Sequence, residues 1–157
     1  MLFKQAALIA QGKPVSTDFF QYLNGVKDLL KAKSTATSVA DFLNPDHLQK
    51  ALATRAAYLL MKVFTKMSKS KASRVEQEND IFAIDVNHVV KLHLIYIMYE
   101  RARNNVEKRN LKDANLKSVL MTCLANFAIK QLESDMAILY ECGFFGPTSR
   151  ELLEEAH

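Results

Sequence analysis

Three stretches of the chain repeat apolar side chains at three- and four-residue steps, the spacing of helices that bury one face. In the first, Leu48, Leu52, Ala56, Leu59, Leu60, Val63, Phe64 and Met67 follow Asn44-Pro45. Asn is a strong N-cap and Pro suits the first helical position. Asp46 then lies where the positive end of the helix dipole favours an acid. This pattern predicts a helix from 45 to about 70 that frays through Glu78, with Asn79-Asp80 as the break. In the second stretch Val86, Val89, Val90, Leu92, Ile95, Tyr96, Met98, Tyr99 and Ala102 are apolar nearly all the way round. That predicts a central, well-buried helix over about 86–108, capped by Asp85. The third stretch runs through Leu116, Val119, Leu120, Cys123, Leu124, Phe127, Ala128, Leu132, Met136 and Leu139. It predicts one unbroken helix over 113–141, stopped by Gly143, with Arg109-Asn110 as the turn before it.

The remainder reads as short elements. Met1–Gln11 is a short helix that Gly12 and Pro14 stop. Residues 15–43 form an irregular connector: a cap at Ser16-Thr17-Asp18, a turn at Asn24-Gly25, a helical turn or two over Val26–Lys33 and a loop over 34–38. Gly146-Pro147 opens a last short helix. Three long helices joined by short connections must run antiparallel. The expected fold is all-α, an up-and-down helical bundle over 44–157 preceded by a connector with short helices over 1–43.

Composition agrees with this. The 157 residues are 49% hydrophobic and 24% charged, with four glycines and three prolines. That suits one helical domain with a real core. The net charge of +4 comes from the first half: residues 1–80 carry 12 Lys/Arg against 7 Asp/Glu, and the rest 9 against 10. So mild an excess does not call for nucleic acid as a partner. The longest mostly apolar run, Leu92–Tyr99, is far too short to span a membrane. Cys123 and Cys142 lack CxxC spacing and read as reduced thiols, Cys123 as an inert core residue and Cys142 as the more exposed.

Candidate chemistry is sparse. His88 and His93 lie five apart and share no helical face, so they make no metal pair, and HExxH is absent. His93 reads as a buried core histidine; His47 and His157 complete the set. Gly-rich phosphate loops and a GxSxG elbow are missing. Glu133 and Asp135 point different ways and, with Glu100, are expected in solvent. Lys62, Lys66, Lys69, Lys71 and Arg74 read as a solvated helix face. Arg55 differs: it sits in Ala53-Thr54-Arg55-Ala56-Ala57-Tyr58-Leu59, where it needs a carboxylate or a backbone carbonyl from another helix.

That segment resembles the Arg-Ala-Ala stretch that opens a long helix in the C-terminal domain of the peroxisomal acyl-CoA oxidases. Asp85-Val86, Lys91-Leu92-His93 and Tyr96 resemble the family's Asp…Glu-Ala-His…Tyr spacing, with Lys91 in place of the Glu, so any ion pair of that Glu is lost or reversed. Ala125–Ile129 and Ile138–Phe145 resemble the helix that ends in the family's Leu-Tyr-x-x-Gly-Tyr/Phe-Phe turn. Leu2-Phe3-Lys4 and Tyr22-Leu23-Asn24 resemble the connector leading in. The resemblance implies the acyl-CoA dehydrogenase/oxidase C-terminal fold, incomplete at its C-terminal end. For a complete protein it implies an FAD-dependent oxidoreductase of fatty-acid β-oxidation. Such a flavoprotein turns acyl-CoA into trans-2-enoyl-CoA and releases hydrogen peroxide.

On this resemblance the chain is the helical packing and dimerisation domain of an acyl-CoA oxidase-like protein. Its partners are the upstream flavin and acyl-CoA domains of the same protein and a second copy in a homodimer. The family's base and flavin site lie mostly upstream of the matched region. No catalytic, cofactor-binding or metal-ligating residue is therefore assigned here, and no cofactor is expected for the chain alone. The location implied is the peroxisome, although Glu155-Ala156-His157 is not a peroxisomal tripeptide; otherwise the cytoplasm. The alternative reading is a non-enzymatic helical interaction module.

Overall fold

The computed structural model describes residues 1–109 and 113–156. Nine α-helices occur among the described residues, and no strand. They are α1 (Leu2–Ala10), α2 (Val26–Lys31), α3 (Val39–Phe42), α4 (Pro45–Lys69), α5 (Arg74–Glu76), α6 (Ala83–Lys108), α7 (Ala114–Ser134), α8 (Met136–Glu141) and α9 (Ser149–Glu155). A 3-10 helix spans Asp18–Gly25 and a π-helical turn spans Gln77–Ile81.

The first long helix starts as its cap predicts: Asn44 accepts from the Asp46 amide at 2.9 Å, with Pro45 at the first position. It ends at Lys69, where Ser70 turns extended, so the segment beyond does not fray as a continuation. Ser73 caps the separate turn α5 instead, through the Glu76 amide. The second long helix begins at Ala83, three residues before the expected start. Asp85 is therefore inside the first turn, where it faces Lys66 at 3.4 Å rather than capping.

The third helix is not continuous. Asp135 leaves helical geometry (φ −129°, ψ 28°) and separates α7 from α8, against the expectation of one helix over 113–141. An unbroken helix would give the Gln131 carbonyl to the Asp135 amide. Here Arg55 Nη1 and the Ser134 hydroxyl donate to it. Ser and Asp are also poor helix-interior residues because their side chains compete for nearby backbone groups. Gly143, at φ +73°, ends α8 as expected, and the Phe144 and Phe145 amides return to the Leu139 carbonyl. The expected turn at Arg109-Asn110 falls partly on Asn110, outside the described residues.

Cross-contacts fix the directions. Arg103 and Tyr99, late in α6, reach Gln49 and Pro45 at the start of α4, while Lys66 near its end meets Asp85. So α4 and α6 are antiparallel. His88, early in α6, meets Asp135 after the end of α7, so α6 and α7 are antiparallel too. The core centres on α4, which buries Leu48, Leu52, Leu60 and Val63 with a run of alanines. Alanines at 51, 53, 56 and 57 let neighbouring helices come close. One expectation fails here: α6 is not buried all round, for Leu94 and Met98 face outward. No single helix among the described residues is long and apolar enough to cross a membrane.

Candidate functional site

Three polar constellations stand out, and each is built at a junction between elements. The first centres on Arg55. It lies on the buried side of α4, so its guanidinium has no access to water. Nη1 donates to the Gln131 carbonyl freed by the helix break and lies 3.5 Å from Asp135 Oδ2. Burial pulls the Arg55 pKa down to about 10 while Asp135 opposes the shift, so it stays protonated at neutral pH. His88 Nε2 donates to Asp135 Oδ1 at 3.0 Å, and Lys91 Nζ is 3.7 Å from the other oxygen. One carboxylate thus gathers side chains from α4 and α6. Asp135 was expected in solvent. Its half-hidden place follows from the break that aims it inward.

The second constellation joins the connector to α6. The Tyr22 hydroxyl lies 3.0 Å from His93 Nδ1. Phe20 stacks on the imidazole with centroids 4.9 Å apart. Tyr22 also packs on Tyr96, whose hydroxyl donates to Glu100 at 3.0 Å. Desolvation drives the His93 pKa down to about 4, and burial pushes both tyrosines up. His93 is therefore neutral and structural, as its place on the apolar stripe suggests.

Beside this stack lies a cleft of about 570 Å³ bordered by Asp28, Lys31, Gln49, Lys50, Tyr96 and Arg103. The guanidinium in it is engaged on every side: with Gln49 at 2.9 Å, Glu107 at 2.8 Å and Asp46 at 2.6 Å. A flavin dinucleotide needs a cradle of backbone amides for its pyrophosphate and a flat pocket for its ring. An occupied arginine and two rim lysines beside an aspartate supply neither, so the residues of this cleft do not fit that cofactor.

The third constellation has no visible signal in the sequence. His47 Nδ1 donates to the Phe42 carbonyl at 3.0 Å, which leaves Nε2 to accept from the Ser34 hydroxyl at 2.8 Å. A Ser–His pair can serve nucleophilic chemistry. Here it closes a clasp: the Ser34 amide donates to Phe144 at 2.7 Å, and His47 packs against Phe42 and Phe144. The pair pins the loop before α3 to the turn after α8.

The remaining candidates fall apart from one another. Lys62 pairs with Glu141, Lys66 with Asp85 and Arg74 with Glu78, so the basic cluster is a partly neutralised surface. Cys123 is exposed rather than a core thiol, because it lies in the part of α7 before Ala128, which buries no residue. Cys142 is the more covered of the two, and burial pushes its thiol up. No group of three or more His, Cys, Asp or Glu that could hold a metal occurs among the described residues. His157 lies outside them.

Residues 44–157 match the model of the acyl-CoA oxidase family. No curated protein sequence matches the chain. Among solved structures, acyl-CoA oxidase 1 of Arabidopsis thaliana superposes with a TM-score of 0.89 at 19% identity, over 99% of this chain and 23% of that one. The tomato (Lycopersicon esculentum) acyl-CoA oxidase LeACX1 gives 0.89 at 17% identity, with the same coverage. Acyl-CoA oxidase 3 of Yarrowia lipolytica gives 0.81 at 16%, over 99% and 22%. The chain therefore spans less than a quarter of the length of the oxidases it superposes on.

Proposed function

The chain belongs to the acyl-CoA oxidase family, and from that premise we propose that it is the C-terminal helical packing domain of an FAD-dependent acyl-CoA oxidase-like protein. In the complete protein the reaction is oxidation of an acyl-CoA to the trans-2-enoyl-CoA, with hydrogen peroxide as the second product. The family match over residues 44–157 carries this reading. Its scale supports it as well: relatives more than four times as long have this fold as one part of a larger body. The flavin and the base that removes the substrate proton belong to that body. This chain's share is mechanical. Its α4–α6–α7 bundle presents a fixed outer surface, and its clasps hold the connector against it. The natural setting is a homodimer in the peroxisome.

The test is direct. The purified chain, supplied with FAD and palmitoyl-CoA, should retain no flavin on desalting and release no peroxide, because no described residue cluster offers a pyrophosphate cradle or a buried catalytic acid. Stoichiometric flavin retention, or turnover that disappears when one carboxylate of this chain is changed, would place the chemistry here and sink the proposal.

A further inference from the structure

α6 buries no residue after Tyr99, and α7 buries none before Ala128. These two helix ends carry no buried residue among those described, yet the surface they share is not polar. Met98 is 60% exposed, Val119 58% and Leu116 46%, and Leu94, one turn earlier on α6, is 52% exposed. Between the helices runs a groove of about 350 Å³ whose walls include Met98, Ala102, Val106, Leu120, Cys123 and Phe127. An apolar groove of this kind, on a face that meets water, marks a docking site. From Met98 to Val106 the groove wall is roughly 12 Å long at 1.5 Å per residue, the length of about two helical turns.

The charges around the groove say what fits. The exposed cations nearest it are Arg101 and Lys108 on α6 and Arg109 just after that helix. The acids of α6 are engaged: Asp85 with Lys66, Glu100 with Tyr96 and Glu107 with Arg103. On α7, Lys117 is exposed, and Asp113 is tied to the Asn115 and Leu116 amides. Glu133 and Lys130, toward the far end of α7, and Lys91, beside Asp135, lie beyond the groove. Arg101 lies 3.9 Å from Asp18 and over the Phe19 ring, which leaves it charged at the rim. The rim is cationic. A second copy laid on this face would set cations against cations, and a bilayer presents no ridge to enter a groove.

We propose that the α6–α7 tip is a docking groove for a partner helix whose apolar stripe is flanked by carboxylates. Apolar side chains of that helix fill the groove and its acids meet the rim, which sets orientation and partner choice. The inference concerns what this surface takes and does not depend on where the flavin binds.

The probe is a synthetic helix of about 18 residues with a leucine stripe flanked by glutamates, compared with the same peptide flanked by lysines. Binding to the full chain is read by fluorescence anisotropy at two salt concentrations. The glutamate peptide should bind about 10-fold more tightly, with the preference shrinking at high salt. Met98→Glu, in the groove wall, should remove binding of both, and Lys108→Glu with Arg109→Glu should reverse the preference. These side chains are exposed, so circular dichroism should be unchanged. Equal affinity for the two peptides, binding by neither, or indifference to Met98→Glu overturns the proposal. So does self-association of the chain that Met98→Glu abolishes, which would make the occupant a second copy. Uptake of the chain by phosphatidylserine vesicles in preference to the glutamate peptide also counts against it.

Discussion

Arg55 holds α4 to the end of α7 with a single well-placed donor. Its Nε and Nη2 are buried without an acceptor among the described residues, so the ion pair gives back much of its gain in desolvation. Arg55→Met fills the same space and leaves Asp135 with His88 and Lys91. It should cost about 1–2 kcal/mol, against roughly 3–5 kcal/mol for Arg55→Ala, which adds a cavity to the loss. Urea denaturation of both variants measures the difference. His93 gives a pH prediction. Its folded pKa, about 4, lies below the ordinary 6.5, so the unfolded chain binds the proton more readily. Its contribution is whole above pH 6.5, declines as pH falls from 6.5 to 4 and is gone below that, about 3 kcal/mol at most. A His93→Gln variant should show a flatter stability profile across that window. Arg55 and His93 were legible in the sequence because an ionisable group on an apolar helix stripe must find a partner. Ser34 and His47 were not, since their meeting depends on the path of an aperiodic connector. Cys123 misled for a related reason: a stripe reveals that a face is apolar, not whether anything covers it.

Elements were legible where a start or stop has its own chemistry. Asn44-Pro45 and Gly143 mark their ends through a cap, a preset φ and a left-handed residue. The last supports a controlled test. Gly143 has φ +73°, and a Cβ there would meet nothing within 4 Å, so only backbone strain opposes Gly143→Ala. That substitution should cost about 1–2 kcal/mol. Gly146→Ala, equally free of close neighbours but not at a left-handed φ, should be nearly neutral in the same thermal melts. The break at Asp135 was hidden because the apolar stripe continues past it through Leu132, Met136 and Leu139. What ends α7 is a tertiary event, an arginine from another helix taking over a backbone carbonyl. Ser134-Asp135 is the only local hint, and in a strongly periodic segment it is outweighed.

Across the whole molecule, burial is uneven. α4 buries twelve of its 25 residues, α6 seven of 26 and α7 three of 21. Hydrogen exchange should follow this order. Amides of 51–63 should exchange slowest and those of 118–124 faster than those of 127–133 on the same helix, because opening the tip exposes little that was buried. Mass spectrometry of pepsin fragments reads this, and uniform protection along α7 would contradict it. The architecture was legible because three separate stripes and few turn residues leave little choice but a bundle. The direction in which each stripe faces was not, since that depends on the neighbours a helix meets. Concentrating burial in one helix also shapes how such a domain can change over time. Outside α4 most described positions are exposed or half-buried, where a substitution disturbs little packing. A lineage can then rewrite most of its letters and still assemble the same bundle, as the 16–19% identities over nearly the full chain illustrate.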